Sequence, residues 1–312
     1  MELTSRYDLA LAFDWEYDGD FVRLIEEFSR NRSLKTIAIP PAEAGRVLQA
    51  FRSGELDFRV LLDRASGSSP DFVGLQALAA ERGRDVIEGL EKLRWASDKA
   101  TMHLELLSAG VRTPYTQILP AFAVQPEIPL TAGDLAPLGA PFVIKPANTT
   151  GGSLGVIADA GGIDDVLAAR KTYPADKYLL QEKVVPLVRN GRRYWFRGFY
   201  VLGEVHLTWW DDRTHVYAEL GSDEAAAEGL AAVYGIVRTI ARVSRLRFFS
   251  TEVAQDAAGR LLVVDYVNEI CDMRLRSAHA DGVPDTVVAR IADRIAAHAA
   301  GAAPPLRPPE EG

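Results

Sequence analysis

Two apolar runs near the C-terminal end, residues 248–253 (FFSTEV) and 261–267 (LLVVDYV), carry Glu252 and Asp265 inside otherwise hydrophobic sequence. A turn-forming stretch at 256–259 joins them. Charged side chains in buried strands are costly unless paired, so this hairpin limits the possible folds more than any other feature. Hairpin geometry can set Glu252 beside Asp265, with Asn268 and Glu269 at the end of the second strand. Carboxylate and amide oxygens gathered in this way suit a hard cation such as Mg²⁺, which also takes phosphate oxygens and water. Carboxylates that close would raise each other's pKa unless a cation lies between them. The competing reading is a pair of solvent-facing strand residues, and the sequence leaves it open.

A second constellation lies upstream. Residues 141–146 (PFVIKP) read as a strand ending in Lys145, followed by the glycine-rich loop 148–155 (NTTGGSLG) with Gly151, Gly152 and Ser153. Such a loop brings backbone N–H groups close to phosphate oxygens, and the ammonium adds a point charge. The G-x-x-x-x-G-K-[ST] order is missing and the glycines do not open a helix, so neither the P-loop nor a dinucleotide fingerprint is present. An ordinary hairpin competes with the phosphate reading. The histidines (His103, His206, His215, His279, His298) are scattered, and no Ser/His/Asp arrangement is evident.

The chain has 312 residues, which at about 150 per domain suggests about two domains or one large one with lobes. In the first 95, strand-like runs at 7–13, 35–39 and 58–62 alternate with helical spacing at Phe21, Leu24, Ile25 and Phe28. That β-α-β-α-β order predicts a small open α/β domain with a largely parallel sheet. Ligands on such domains sit beyond the carboxyl ends of the strands, where Asp14, Glu16, Asp18, Asp20 and the pair Asp63-Arg64 fall. A solvated acidic loop is an equally good reading of the first four. From residue 98 the pattern predicts a helix over 98–109 closed by Gly110 and Pro114, a connecting segment at 121–140, and a helix over 163–173. A strand at 178–184, a hairpin at 194–206, a long helix over 223–242, a last helix over 284–299 and a disordered tail at 301–312 complete the reading. Cys271 is the only cysteine, which excludes an intrachain disulfide, and it reads as packing. The formal charge of −8 argues against a nucleic-acid partner. The absence of a long apolar run, and of the shape of a signal peptide, points to a cytoplasmic protein without a membrane partner.

The order of these pieces resembles the ATP-grasp superfamily over residues 98–300, with 1–95 similar to the small α/β domain that often precedes it. The resemblance implies an α/β (α+β) protein with an ATP-grasp domain at 96–300, nucleotide lying between lobes 96–185 and 186–300. It implies Lys99 and Lys145 on nucleotide phosphate under the loop of Gly151, Gly152 and Ser153. Adenine would be held by the segment Gln181, Glu182, Lys183 and Val184, and Mg²⁺, or Mn²⁺ in its place, by Glu252, Asp265 and Asn268. Arg197, or Arg193, stands where the family keeps an arginine for the transferred phosphate, and Arg274 is placed for phosphate or a substrate carboxylate. In one respect the chain departs from the family, which spells its last metal motif as an acidic residue, one spacer, then asparagine. Here Tyr266 and Val267 separate Asp265 from Asn268, so either a bulge restores the geometry or Glu269 replaces Asn268. The acidic residue expected for ribose is also missing from 185–191, leaving Asn190 as the candidate. The implied activity is ATP-dependent carboxylate–amine ligation through an acyl phosphate, on a small-molecule or peptide carboxylate and an amine, in a homodimer as is common among relatives. A kinase acting on a hydroxyl and a non-catalytic nucleotide-binding regulator are the alternatives. Trp209 and Trp210 are read either as a wall for the second substrate or as ordinary strand packing.

Overall fold

In a computed structural model, which describes residues 5–149 and 154–301, the N-terminal part alternates strand and helix. Its elements are β1 (Ser5–Phe13), α1 (Gly19–Arg30), β2 (Thr36–Ile39), α2 (Pro41–Ser53), β3 (Leu56–Arg64), α3 (Pro70–Glu81) and β4 (Asp85–Ile87). The sheet order is β2-β1-β3-β4, and all pairings are parallel. Leu9 to Ala12 of the central β1 are buried on both faces, as helix-covered parallel strands are. The expected α/β unit is present, with one helix and one strand more than the sequence pattern indicated. The loop at 66–70 leads directly into α3, which Ser69 caps and Pro70 begins.

Two helices follow, α4 (Leu90–Ser97) and α5 (Lys99–Ser108). Asp98 caps α5 by accepting from the amides of Ala100 and Thr101, and Gly110 ends the turn at φ 75°. Next come β5 (Thr116–Leu119), α6 (Ala132–Leu135), β6 (Phe142–Pro146), β7 (Ile157–Ala160), α7 (Ile163–Thr172) and β8 (Tyr178–Glu182), the strands ordered β5-β8-β6-β7 and all antiparallel. The connecting segment is tied down by the fully buried Arg170 of α7, which donates to the carbonyls of Pro120, Gln125 and Pro126.

The C-terminal part contains β9 (Val188–Arg189), β10 (Arg192–Arg193), β11 (Trp195–Val201), β12 (Glu204–Trp210), β13 (Tyr217–Glu219), α8 (Ser222–Ala227), α9 (Ala231–Ser244), β14 (Phe248–Gln255), β15 (Leu261–Asn268) and α10 (Asp285–Ala299). Its main sheet is antiparallel in the order β13-β12-β11-β14-β15. The single helix expected over 223–242 is instead two, α8 and α9, because Gly229 takes φ 68° and turns the chain between them. Gly198 lets α9 lie close on β11, since a Cβ there would stand 2.6 Å from Val237. The C-terminal α10 returns to the N-terminal unit, so Leu9, Phe21 and Ile25 share one core with Phe248, Ile291 and Ile295. The tail expected to be disordered lies, apart from Gly301, outside the described residues. No helix among the described residues is long and apolar enough to cross a membrane.

Glu88 fastens the N-terminal unit to the start of β14. Its side chain is 3% exposed, and Oε1 accepts from the amides of Arg247 and Phe248. Burial, opposed by those amides, pushes its pKa up to about 7. The folded state therefore binds this proton more tightly than the unfolded chain, so stability from this group is complete below the unfolded carboxyl pKa. It falls as pH rises towards 7 and is level above that. Between pH 5 and 8 the wild type is expected to lose on the order of 3 kcal/mol at this site relative to Glu88→Gln, which keeps the acceptor and cannot ionise. Urea unfolding of both proteins at the two pH values measures the difference, and parallel pH dependences would refute the assignment.

Candidate active site

The β14–β15 hairpin places Glu252 opposite Asp265 in register. The ladder then slips on both sides of the pair. Two steps on β14, from Ser250 to Glu252, span three on β15, from Asn268 to Asp265, and one step from Glu252 to Val253 spans two, from Asp265 to Val263. This is a bulged strand, with residues on β15 that have no partner opposite them. Across the bulge Asn268 turns back, its Nδ2 donating to Asp265 Oδ2 at 3.0 Å. Glu252 accepts from Trp195 Nε1 at 3.1 Å and is ion-paired to the buried Arg197, whose Nε donates to Ser250 Oγ at 3.1 Å.

Two lysines from other elements approach the carboxylates. Lys145, on β6, donates from Nζ to the Val264 carbonyl at 3.0 Å. Lys99 opens α5, and its amide donates to the Ala147 carbonyl at 3.0 Å, just beyond β6. Burial would push the Asp265 pKa up, but the charges of Lys99, Lys145 and Arg197 outweigh it and hold the group below the usual carboxylate range. Glu252 is raised, burial outweighing Arg197. Burial likewise lowers the Lys145 pKa, against the opposing pull of Asp265 and Glu252. Burial raises Glu269, with Asp265 adding to the rise and Lys99 opposing it.

The donor set at this place is two carboxylates and an amide whose nitrogen is engaged with Asp265, all hard oxygen ligands suited to Mg²⁺. Among the described residues no cluster of three or more His, Cys, Asp and Glu side chains has the spacing to hold a metal.

The remaining sequence candidates are distributed as follows. Gln181 turns inward, its Nε2 donating to the Tyr266 hydroxyl at 2.7 Å and to Thr116 Oγ1 at 3.1 Å. Glu182 accepts from the Tyr115 amide at 3.0 Å, and Lys183 points outward to Asp159. The chain leaves the sheet after Glu182, so Lys183 and Val184 lie outside any strand. Arg193 is engaged by Asp212, with Nη2 2.7 Å from Oδ2, so Arg197 and not Arg193 is joined to Glu252. Arg274 donates to both Asp272 and Asp281, under the rings of Trp15 and Tyr17. Asn190 and Gly191 form the left-handed turn between β9 and β10. Gly151, Gly152 and Ser153 lie outside the described residues.

Beyond Arg197, a cleft of about 340 Å³ opens between the β9–β10 hairpin and β12–β13, lined among others by Arg193, Trp209, Trp210 and Tyr217. The Arg197 guanidinium lies 5.4 Å over the Trp210 ring, linking cleft and carboxylates. Trp209 is 4% exposed and its Nε1 donates to Glu224, so it is mainly a packing residue. Of the N-terminal candidates, Asp63 and Arg64 turn inward. Asp63 accepts from Ala65, Ser66 and Gln76, and Arg64 is buried against Asp18. The sequence reading missed Thr251, Tyr266 and His103, which brace β15. A tyrosine placed between Asp265 and Asn268 in an apolar strand was the available signal.

No family model matches the sequence, and no curated protein matches it. The fold is similar to that of a RimK-domain ATP-grasp protein from Sphaerobacter thermophilus, at TM-score 0.62 and 21% identity over 91% of this chain and 98% of that one. It is also similar to D-alanine–D-alanine ligase from Bacillus anthracis complexed with ATP, at TM-score 0.64 and 14% identity over 96% and 98% of the two chains. The ATP-grasp ligase PsnB, in complex with a minimal precursor, Mg and ADP, matches at TM-score 0.60 and 12% identity over 94% and 98%. The chain has the ATP-grasp fold.

Proposed function

We propose that the protein is an ATP-dependent carboxylate–amine ligase that forms an amide or peptide bond through an acyl phosphate. The observation that carries this reading is the convergence of Lys99 and Lys145 from one lobe on Glu252, Asp265 and Asn268 from the other. Two ammonium groups beside two carboxylates are an arrangement for a polyphosphate and its cation. Glu252, Asp265 and Asn268 would hold Mg²⁺, which when bound supplies charge neutralisation at the phosphates. Lys99 and Lys145 would hold the triphosphate in line with an incoming oxygen. Arg197, fixed by Ser250 and Glu252, stands between the carboxylates and the cleft, where it would steady charge on the acyl phosphate and on the adduct formed by amine attack. The cleft walled by Trp210 and Tyr217 would take the carboxylate or the amine substrate. The structural neighbours support this reading, since those whose names state an activity are ligases or a synthetase.

The test is ADP release with Mg²⁺ across pools of amino acids, small peptides and polyols, with hydroxylamine added in parallel. Ligase chemistry predicts ADP together with a hydroxamate in a pool that contains the carboxylate substrate. ADP without hydroxamate would replace the ligase reading with phosphorylation of a hydroxyl. Nucleotide binding without turnover in any pool would favour a regulator.

A further inference from the structure

At the bulge in β15, side chains from other elements bond two backbone carbonyls. Val264 O accepts from Lys145 Nζ at 3.0 Å, and Asp265 O accepts from Thr251 Oγ1 at 2.8 Å. At the next residue the Tyr266 side chain enters the core between the lobes and is 2% exposed. Its hydroxyl accepts from Gln181 Nε2 at 2.7 Å and lies 2.8 Å from His103 Nδ1, which is itself 3.3 Å from Thr113 Oγ1. A buried phenol satisfied on both sides has one low-energy position. Tyr266 therefore ties together α5, which begins at Lys99; β8, which runs into residues 181–184; and β15, which carries Asp265 and Asn268.

We infer that Tyr266 is a positioning residue: anchored on Gln181 and His103, it holds the bulge that turns Asp265 and Asn268 to the same side as Glu252. The inference rests on the nucleotide–metal reading of the site given above. It also accounts for the extra residue between Asp265 and Asn268. In an unbulged strand successive side chains alternate faces, so residues three apart point to opposite sides. The bulge absorbs the odd residue, and Tyr266 and Thr251 keep it from slipping. The phenol touches neither carboxylate, so it acts through backbone position alone.

The experiment compares wild type, Tyr266→Phe and Thr251→Val by Mn²⁺ binding, read by EPR in the presence of ADP. It adds calorimetric binding of ADP in EDTA and thermal melts. Loss of the brace is expected to weaken Mn²⁺ binding about tenfold, or about 1.4 kcal/mol, in Tyr266→Phe, with metal-free ADP affinity within about twofold of wild type. Thr251→Val grips the same bulge from the facing strand and is expected to show the same selective loss, so the test stands if Tyr266→Phe does not fold. Mn²⁺ affinity unchanged in the folded variants would overturn the inference, even if their melting temperatures fell. Equal losses of ADP and Mn²⁺ affinity would overturn it too, since they would indicate general loosening. A wild type that binds no Mn²⁺ with ADP would overturn the nucleotide reading and this inference with it.

Discussion

Asparagine in place of Asp265 is expected to lower turnover at least about 10³-fold, or about 4 kcal/mol of transition-state stabilisation. The change is nearly isosteric, but it removes the charge that faces Lys99, Lys145 and Arg197, the groups that hold this carboxylate ionised. With that charge gone, the partly buried Lys145 keeps only Glu252 as an anionic counterweight. A hard-cation site reduced to one carboxylate and two amides loses the ligand charge that sets its affinity. Glu252→Gln is expected to act in the same direction and also frees Arg197 from its ion pair. Steady-state ADP release, with far-UV circular dichroism to establish that the fold is kept, measures the effect. Turnover of folded Asp265→Asn within tenfold of wild type would remove Asp265 from the proposed metal site.

The largest effect on stability is expected at Asp18. Its carboxylate is fully buried and accepts two hydrogen bonds from Arg64, from Nε at 2.9 Å and from Nη2 at 2.6 Å. Arg64 also donates to the Cys271 carbonyl and lies over the rings of Phe21 and Phe248, so the pair joins the N-terminal unit to the C-terminal sheet. Asp18→Asn leaves a buried guanidinium without a counter-charge, which costs about 3–5 kcal/mol. Replacing both partners by apolar residues, Asp18→Leu with Arg64→Met, is expected to recover most of that loss, because the desolvation of both ions disappears together. Urea unfolding of the single and double variants tests this. A loss below about 1 kcal/mol for Asp18→Asn would show that Arg64 finds another partner or reaches water.

Much of the framework is legible without coordinates, because its signals are local. The stop at Gly110, the alternation of strand and helix before residue 95 and the turn at 256–259 each depend on a few neighbouring residues. Their order, with the lysine and carboxylate motifs, is what resembles the ATP-grasp arrangement. Where a single residue decides, as Gly229 does between α8 and α9, the apolar periodicity on either side masks the break. The helix α3 was hidden for a similar reason: its even apolar composition gives no helical stripe.

The site divides along the same line. Glu252, Asp265 and Lys145 stand out in sequence because a charge in or beside an apolar run is unusual wherever the chain goes, whereas Lys99 is marked only by the family resemblance. Their convergence on one another comes from the packing of α5 and β6 against the β14–β15 hairpin. Asp18 shows the limit most plainly, since as a string of letters it is one of four acids in a loop beside Asp14, Glu16 and Asp20. It alone is fully buried, and the reason lies in Arg64 and Cys271, which are distant in sequence. Tyr266 is the same case, a core aromatic by sequence, with a role set by Gln181 and His103 from two other elements. Periodicity, caps and turns are properties of short stretches and are determined by the sequence directly. The partner of a buried polar group is chosen by whichever element packs against it, and that is decided only when the chain has folded.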